Sequence, residues 1–169
     1  MEDVSDDRTI DIKDLLGDQN CIYDNQITFV MIYEKGNNID DLYQFLKQRE
    51  DHFTVYKKNE IPDYLNYSRH PFISSILLIA DPGWIFVEKD KQDKYNYSLK
   101  ATHGWDNYWI NMHGIFIAGG PSFKENYVVG TLQNIDIYPL LCKIFNIQPA
   151  GNIDGKLERI GFVLKHYNN

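Results

Sequence analysis

The sequence predicts an α/β architecture, a mixed sheet with flanking helices, on three observations. The run ITFVMIY from Ile27 to Tyr33 is rich in β-branched and aromatic residues, and an amphipathic helical pattern follows it from Asn38. A nearly continuous apolar run from Ile73 to Ala80 comes after that. Strand, helix and strand in this order describe a sheet that buries one side against helices.

Each element has a local cause. Asn25 and Gly36 bound the first strand, and Asn38 opens the helix. Its apolar positions Ile39, Leu42, Tyr43, Phe45 and Leu46 recur at steps of three and four, leaving Asp40, Lys47 and Arg49 to solvent. Phe53 to Tyr56 forms a short second strand, and Ile73 to Ala80 a third, buried on both faces. Asp81-Pro82-Gly83 is turn chemistry, so Trp84 to Val87 is expected to return antiparallel to the third strand in a hairpin. The polar segment Lys89 to Lys100 reads as an exposed loop. Ile115 to Ala118 reads as a short buried strand ending at Gly119-Gly120-Pro121. Asp136 is expected to cap a last helix with Ile137, Leu140, Leu141, Ile144 and Phe145 inward and Pro139 in its first turn. Neither a repeat nor a Pro/Gly/Ser linker divides the chain, which is read as one unit.

Composition removes several function classes. In 169 residues, 17 Lys and Arg stand against 24 Asp and Glu, a net charge of −7 that offers no field to a phosphate polymer, so nucleic-acid polymers are excluded as partners. Hydrophobic residues at 43% and aromatics at 14% fill a core and exclude disorder. With Cys21 and Cys142 alone, one bridge at most can form, and no cysteine zinc module. The acidic start Met1-Glu2-Asp3-Val4-Ser5-Asp6-Asp7 is not a signal peptide. The longest apolar run, broken by Ser74 and Ser75, is far short of the roughly 20 residues that span a bilayer. Two glycosylation sequons, at Asn66 and Asn96, lean weakly towards secretion.

Five histidines are present, His52, His70, His103, His113 and His166, and no pair has the helical spacing that puts two metal ligands on one face. His103 stands out by context. It lies in Thr102-His103-Gly104-Trp105-Asp106-Asn107, after a polar loop and before an apolar run, although a loop histidine taken alone is more often structural. His113 is read as a hydrogen-bonded core or edge residue. A Ser122, His103, Asp106 triad lacks the strained elbow that exposes a nucleophile, and Gly119-Gly120 lacks the lysine and hydroxyl of a phosphate loop. Trp105, Tyr108 and Trp109 can stack on a base or sugar, though core or rim roles are commoner. Lys57-Lys58 reads as a solvated face.

Taken together, His103-Gly104-Trp105-Asp106-Asn107, Met112-His113-Gly114-Ile115-Phe116-Ile117-Ala118 and Gly120-Pro121-Ser122-Phe123 resemble, in order and spacing, motifs of the ectonucleotide pyrophosphatase/phosphodiesterases of the alkaline phosphatase superfamily. Val55-Tyr56-Lys57-Lys58, Ile61-Pro62 and Ala80-Asp81-Pro82-Gly83-Trp84 are similar to the stretch before those motifs. Asn134 to Cys142 is similar to a helix near the end of the catalytic domain. Met1 to Arg8 resembles the residues directly after Asp-His-Gly in that family. The resemblance implies a partial alkaline-phosphatase-like mixed sheet and the C-terminal part of a phosphodiesterase domain, residues 1–169, whose N-terminal half is absent. It implies a two-zinc centre in the intact family. There an upstream threonine is the nucleophile, the Asp and His of Asp-His-Gly bind one zinc, and the histidine matched by His103 belongs to the zinc, otherwise held by an Asp and a His, that poises the hydrolytic water.

On that basis His103 is the one metal ligand here, Asp106 and Asn107 are neighbours that orient its loop, and no catalytic residue is assigned. The implied substrate is a phosphodiester or nucleotide, and the implied location an extracellular or membrane-anchored ectodomain. The expected function is part of a zinc-dependent hydrolase, inactive alone. The alternative is a noncatalytic interaction module that presents Trp105, Tyr108 and Trp109. Trp105 replaces the family's usual Tyr, Ala101 stands where Gly is common, and residues 151–155 match only loosely.

Overall fold

The structure, a computed structural model, describes residues 1–33, 35, 38–89 and 100–167. Two compact units are present, Met1–Gly114 and Ile115–Asn169, where the sequence suggested one. The first is built on a four-stranded antiparallel sheet in the order β3 (Ile22–Asn25), β4 (Phe29–Tyr33), β6 (Ile76–Ala80), β5 (Phe53–Lys57).

Alternation in β4 puts Val30 and Ile32 inward, whereas β6 buries Ile76, Leu77, Leu78 and Ala80, as its unbroken apolar run predicts. The α2 helix (Ile39–Lys47) begins where expected: the Asn38 side chain accepts from the Asp40 amide at 3.0 Å, and Leu42, Tyr43 and Leu46 are buried.

Trp84 to Val87 departs from the hairpin expectation. The turn itself forms, with Gly83 at φ +85° and the Trp84 amide donating to the Asp81 carbonyl at 2.9 Å. A strand has only two edges, however, and those of β6 are taken by β4 and β5. Consequently β7 (Ile85–Val87) pairs in parallel with β2 (Thr9–Asp11). A five-residue helix, α1 (Ile12–Leu16), follows β2, capped by Asp11, which accepts from the Lys13 and Asp14 amides at 2.9 and 3.3 Å. A last pair, β1 (Glu2–Asp3) antiparallel to β8 (Ala101–Thr102), is extended by the Val4 amide donating to the Lys100 carbonyl at 3.1 Å. Most of the loop expected at Lys89 to Lys100 lies outside the described residues.

In the second unit the strand expected at Ile115 to Ala118 is not formed. These residues are exposed, Ile115 at 86% and Ile117 at 82%, because no neighbouring backbone among the described residues pairs with them. The core is Leu140, Ile160, Val163 and Leu164, around α3 (Ile137–Ile144). The inward face of α3 is Pro139, Leu140 and Cys142, while Leu141 and Phe145, expected inside, are exposed. Asp136 stands at the helix N-cap but its side chain does not cap. It is buried and instead accepts from the Lys156 amide at 2.7 Å and from Arg159 Nε and Nη2 at 2.9 and 2.5 Å. Both cysteines are free, and burial pushes the Cys21 thiol pKa up.

Candidate functional site

The His103 loop is fixed at both ends, although His103 itself is exposed. Upstream, β8 ends at Thr102, hydrogen-bonded to β1. Downstream, Gly104 takes φ +102°, a conformation open to glycine, with buried Thr28 behind it. A Cβ at position 104 meets Thr28 Oγ1 at 2.9 Å. Gly104→Ala is therefore expected to destabilise the first unit by about 1–3 kcal/mol, visible as an earlier thermal unfolding transition.

Trp105 is 4% exposed and belongs to the core, with its Nε1 donating to the Trp84 carbonyl at 2.8 Å. Trp84 is itself stacked on His52, ring centroids 3.8 Å apart and planes 7° apart. Asp106 accepts from the Tyr108 amide at 2.8 Å and from the Tyr64 hydroxyl at 2.5 Å. The exposed Asn107 contributes its backbone carbonyl, which accepts from His113 Nε2 at 3.0 Å. His113 is thus an exposed, hydrogen-bonded loop residue. The residues on either side of His103 are held, while its own ring is exposed.

The other candidates lie elsewhere in role. Tyr108 and Trp109 are exposed, 75% and 47%, so burial of Trp105 divides the aromatic trio into one core residue and two surface ones. Lys57 pairs with Asp40 at 2.5 Å, and Lys58 donates to the His70 carbonyl at 2.8 Å, so neither is simply solvated. Asn66 is exposed at φ +49°, and Asn96 lies outside the described residues. Tyr64 was not legible as part of this site, since its contact with Asp106 crosses 42 residues of sequence.

The structure is α/β, an antiparallel four-stranded sheet and two small strand pairs with helices in place of the single mixed sheet expected, and its likeness to solved structures makes the fold alkaline-phosphatase-like. The family model for type I phosphodiesterase / nucleotide pyrophosphatase matches residues 1–106, and the chain belongs to that family. A bis(5'-adenosyl)-triphosphatase of Xenopus laevis is 34% identical over 154 residues, covering 90% of this chain and 32% of the relative. Human ectonucleotide pyrophosphatase/phosphodiesterase family member 5 is 33% identical over 147 residues, covering 87% of this chain and 30% of the relative. The chain therefore spans about a third of the length of these relatives.

Among solved structures, human ectonucleotide pyrophosphatase/phosphodiesterase 5 matches with TM-score 0.81 at 30% identity, over 97% of this chain and 42% of that one. An inactive variant of the murine protein, in complex with AMP, matches with TM-score 0.80 at 30% identity, over 96% of this chain and 42% of that one. No helix among the described residues is long and apolar enough to cross a membrane.

Proposed function

We propose that this chain is the C-terminal part of a zinc-dependent phosphodiester or nucleotide pyrophosphate hydrolase, in which His103 serves as a metal ligand. Alone, the residues present do not fit that group. Catalytic zinc takes about three protein ligands, and among the described residues no cluster of three or more His, Cys, Asp or Glu could hold a metal ion. His103 is accordingly one donor, with the others supplied by parts of the family domain that this chain does not span. Its role is to hold an imidazole nitrogen at a fixed place.

One observation carries this reading, the register of β1 against β8. Glu2 lies opposite Thr102 and Asp3 opposite Ala101, so the antiparallel pairing ends at the residues next to Met1 and His103. By the resemblance, the segment starting at Met1 follows the Asp-His-Gly whose Asp and His bind one zinc of the two-zinc centre to which the histidine matched by His103 also belongs. The register brings that end of the segment to the His103 loop, as a two-zinc centre that draws ligands from both requires. The Met1 amino group also donates to the Asn111 carbonyl at 3.3 Å, and the Asn111 amide to the Glu2 carboxylate, holding the same end in place.

The substrate is a phosphodiester or nucleotide and not a nucleic-acid polymer, and the setting is an extracellular or membrane-anchored ectodomain. As this chain alone, the protein is inactive. Dialysed after loading, it retains well below one equivalent of zinc, and with zinc added it does not turn over a nitrophenyl nucleotide ester. Robust turnover that His103→Ala abolishes contradicts this, because the chain then holds a complete site.

A further inference from the structure

Tyr64 is tied to the His103 loop by a contact that its own surroundings do not require. It sits in a short turn, Asp63–Leu65, that is already closed by the Leu65 and Asn66 amides donating to the Pro62 and Asp63 carbonyls, each at 3.0 Å. Its ring is 45% exposed, so it contributes little to the core. Yet its hydroxyl reaches Asp106 Oδ2 at 2.5 Å, and its ring lies against Tyr108 with centroids 6.5 Å apart. Asp106 Oδ1 meanwhile accepts from the Tyr108 amide at 2.8 Å. Both carboxylate oxygens are thereby used, one within the loop and one across to the turn.

We propose that Tyr64 is a positioning residue, a clamp that fixes the bearing of the His103 imidazole by holding Asp106 from outside the loop. This rests on the reading of His103 as a ligand and adds to it a residue that sets where the ligand points. The β1–β8 pairing holds the entry to the loop, Trp105 seats it in the core, and His113 meets the Asn107 carbonyl at its far end. The Tyr64–Asp106 bond adds an attachment from a separate turn, 42 residues away in sequence. Burial first, then the hydrogen bond and the charge of Asp106, push the Tyr64 phenol well above its ordinary pKa, so it remains a donor throughout the neutral range. A charge-assisted bond of this kind is stronger than a neutral one and suits the purpose.

The test is nitrogen-15 relaxation on the 169-residue chain, together with the ring C–H resonances of His103. In the wild type, the amides of residues 103–107 are expected at order parameters of about 0.85, and Tyr64→Phe is expected to lower them below about 0.6. The His103 ring resonances move towards those of free histidine. Asp106→Ala does the same, and the double variant goes no further. Asp106→Asn, which keeps one oxygen for the Tyr108 amide and can meet the Tyr64 hydroxyl only as an NH2 donor without the charge, falls between the wild type and Asp106→Ala. Unchanged order parameters in Tyr64→Phe overturn the clamp, as does a loss spread evenly over β4, β5 and β6, which marks a general structural role. Zinc retention by a polypeptide carrying the whole family domain reports on His103 as ligand independently: rigid loop amides in this chain, with zinc retention in the whole domain unchanged by His103→Ala, fail the functional reading and leave the clamp standing.

Discussion

Arg159→Ala is expected to destabilise the second unit by about 3–5 kcal/mol, because it leaves a buried carboxylate without its cation. Asp136 is 1% exposed and holds Arg159 through both Nε and Nη2, while Nη2 also donates to the Asp154 carbonyl at 2.9 Å. With the guanidinium gone, the Lys156 amide is left as the donor to that carboxylate. Arg159→Lys recovers only part of the loss, since an ammonium cannot span both oxygens as the planar fork does. The pair also raises the Arg159 pKa, chiefly through its hydrogen bond to Asp136, so the cation persists across the whole working pH range. Amide exchange in α3 is the measurement: protection of Leu140 to Ile144 falls steeply in Arg159→Ala and less in Arg159→Lys. Equal protection in all three proteins contradicts the assignment.

Trp105→Ala is the second large effect, about 3–5 kcal/mol for the first unit, from the cavity left by a buried aromatic. It joins stability to the site, since Trp105 is the residue that seats the His103 loop in the core. Trp105→Phe keeps much of the volume but leaves the Trp84 carbonyl without its indole donor, a cost of about 1–3 kcal/mol. Urea denaturation followed by circular dichroism is expected to rank wild type above Trp105→Phe and that above Trp105→Ala. If Trp105→Phe equals the wild type, the indole hydrogen bond contributes nothing.

How far the sequence can be read depends on whether each signal is local. The α2 helix is legible because cap and apolar period both lie within ten residues, and β4 and β6 because their side chains state their own burial. Pairing is a nonlocal choice. Nothing in Trp84 to Val87 says that the edges of β6 are already occupied, and nothing in Ile115 to Ala118 says that no strand will meet it. The α1 helix escapes notice for its length, although Asp11 before Ile12, Leu15 and Leu16 carries the cap and spacing that could reveal it. β3 is a polar edge strand whose hydrogen bonds, not its side chains, make it one.

The site divides in the same way. His103 and Asp106 are legible as a motif, and Trp105 is legible as a large aromatic without a role, but its burial needs the core to be assembled. Tyr64 carries no local sign at all. Asp136 reads as a cap from its position before a helix, the commonest use of that residue there, and tertiary pairing with Arg159 prevails over it.

The central claim is that His103 is a metal ligand shared with polypeptide beyond this chain. The most direct test places the chain within a polypeptide carrying the whole family domain and compares wild type with His103→Ala on a nitrophenyl nucleotide ester at saturating zinc. Turnover is expected to fall by about a hundredfold or more, with tighter zinc retention in the wild type. Turnover and zinc retention equal in the two proteins contradict the account.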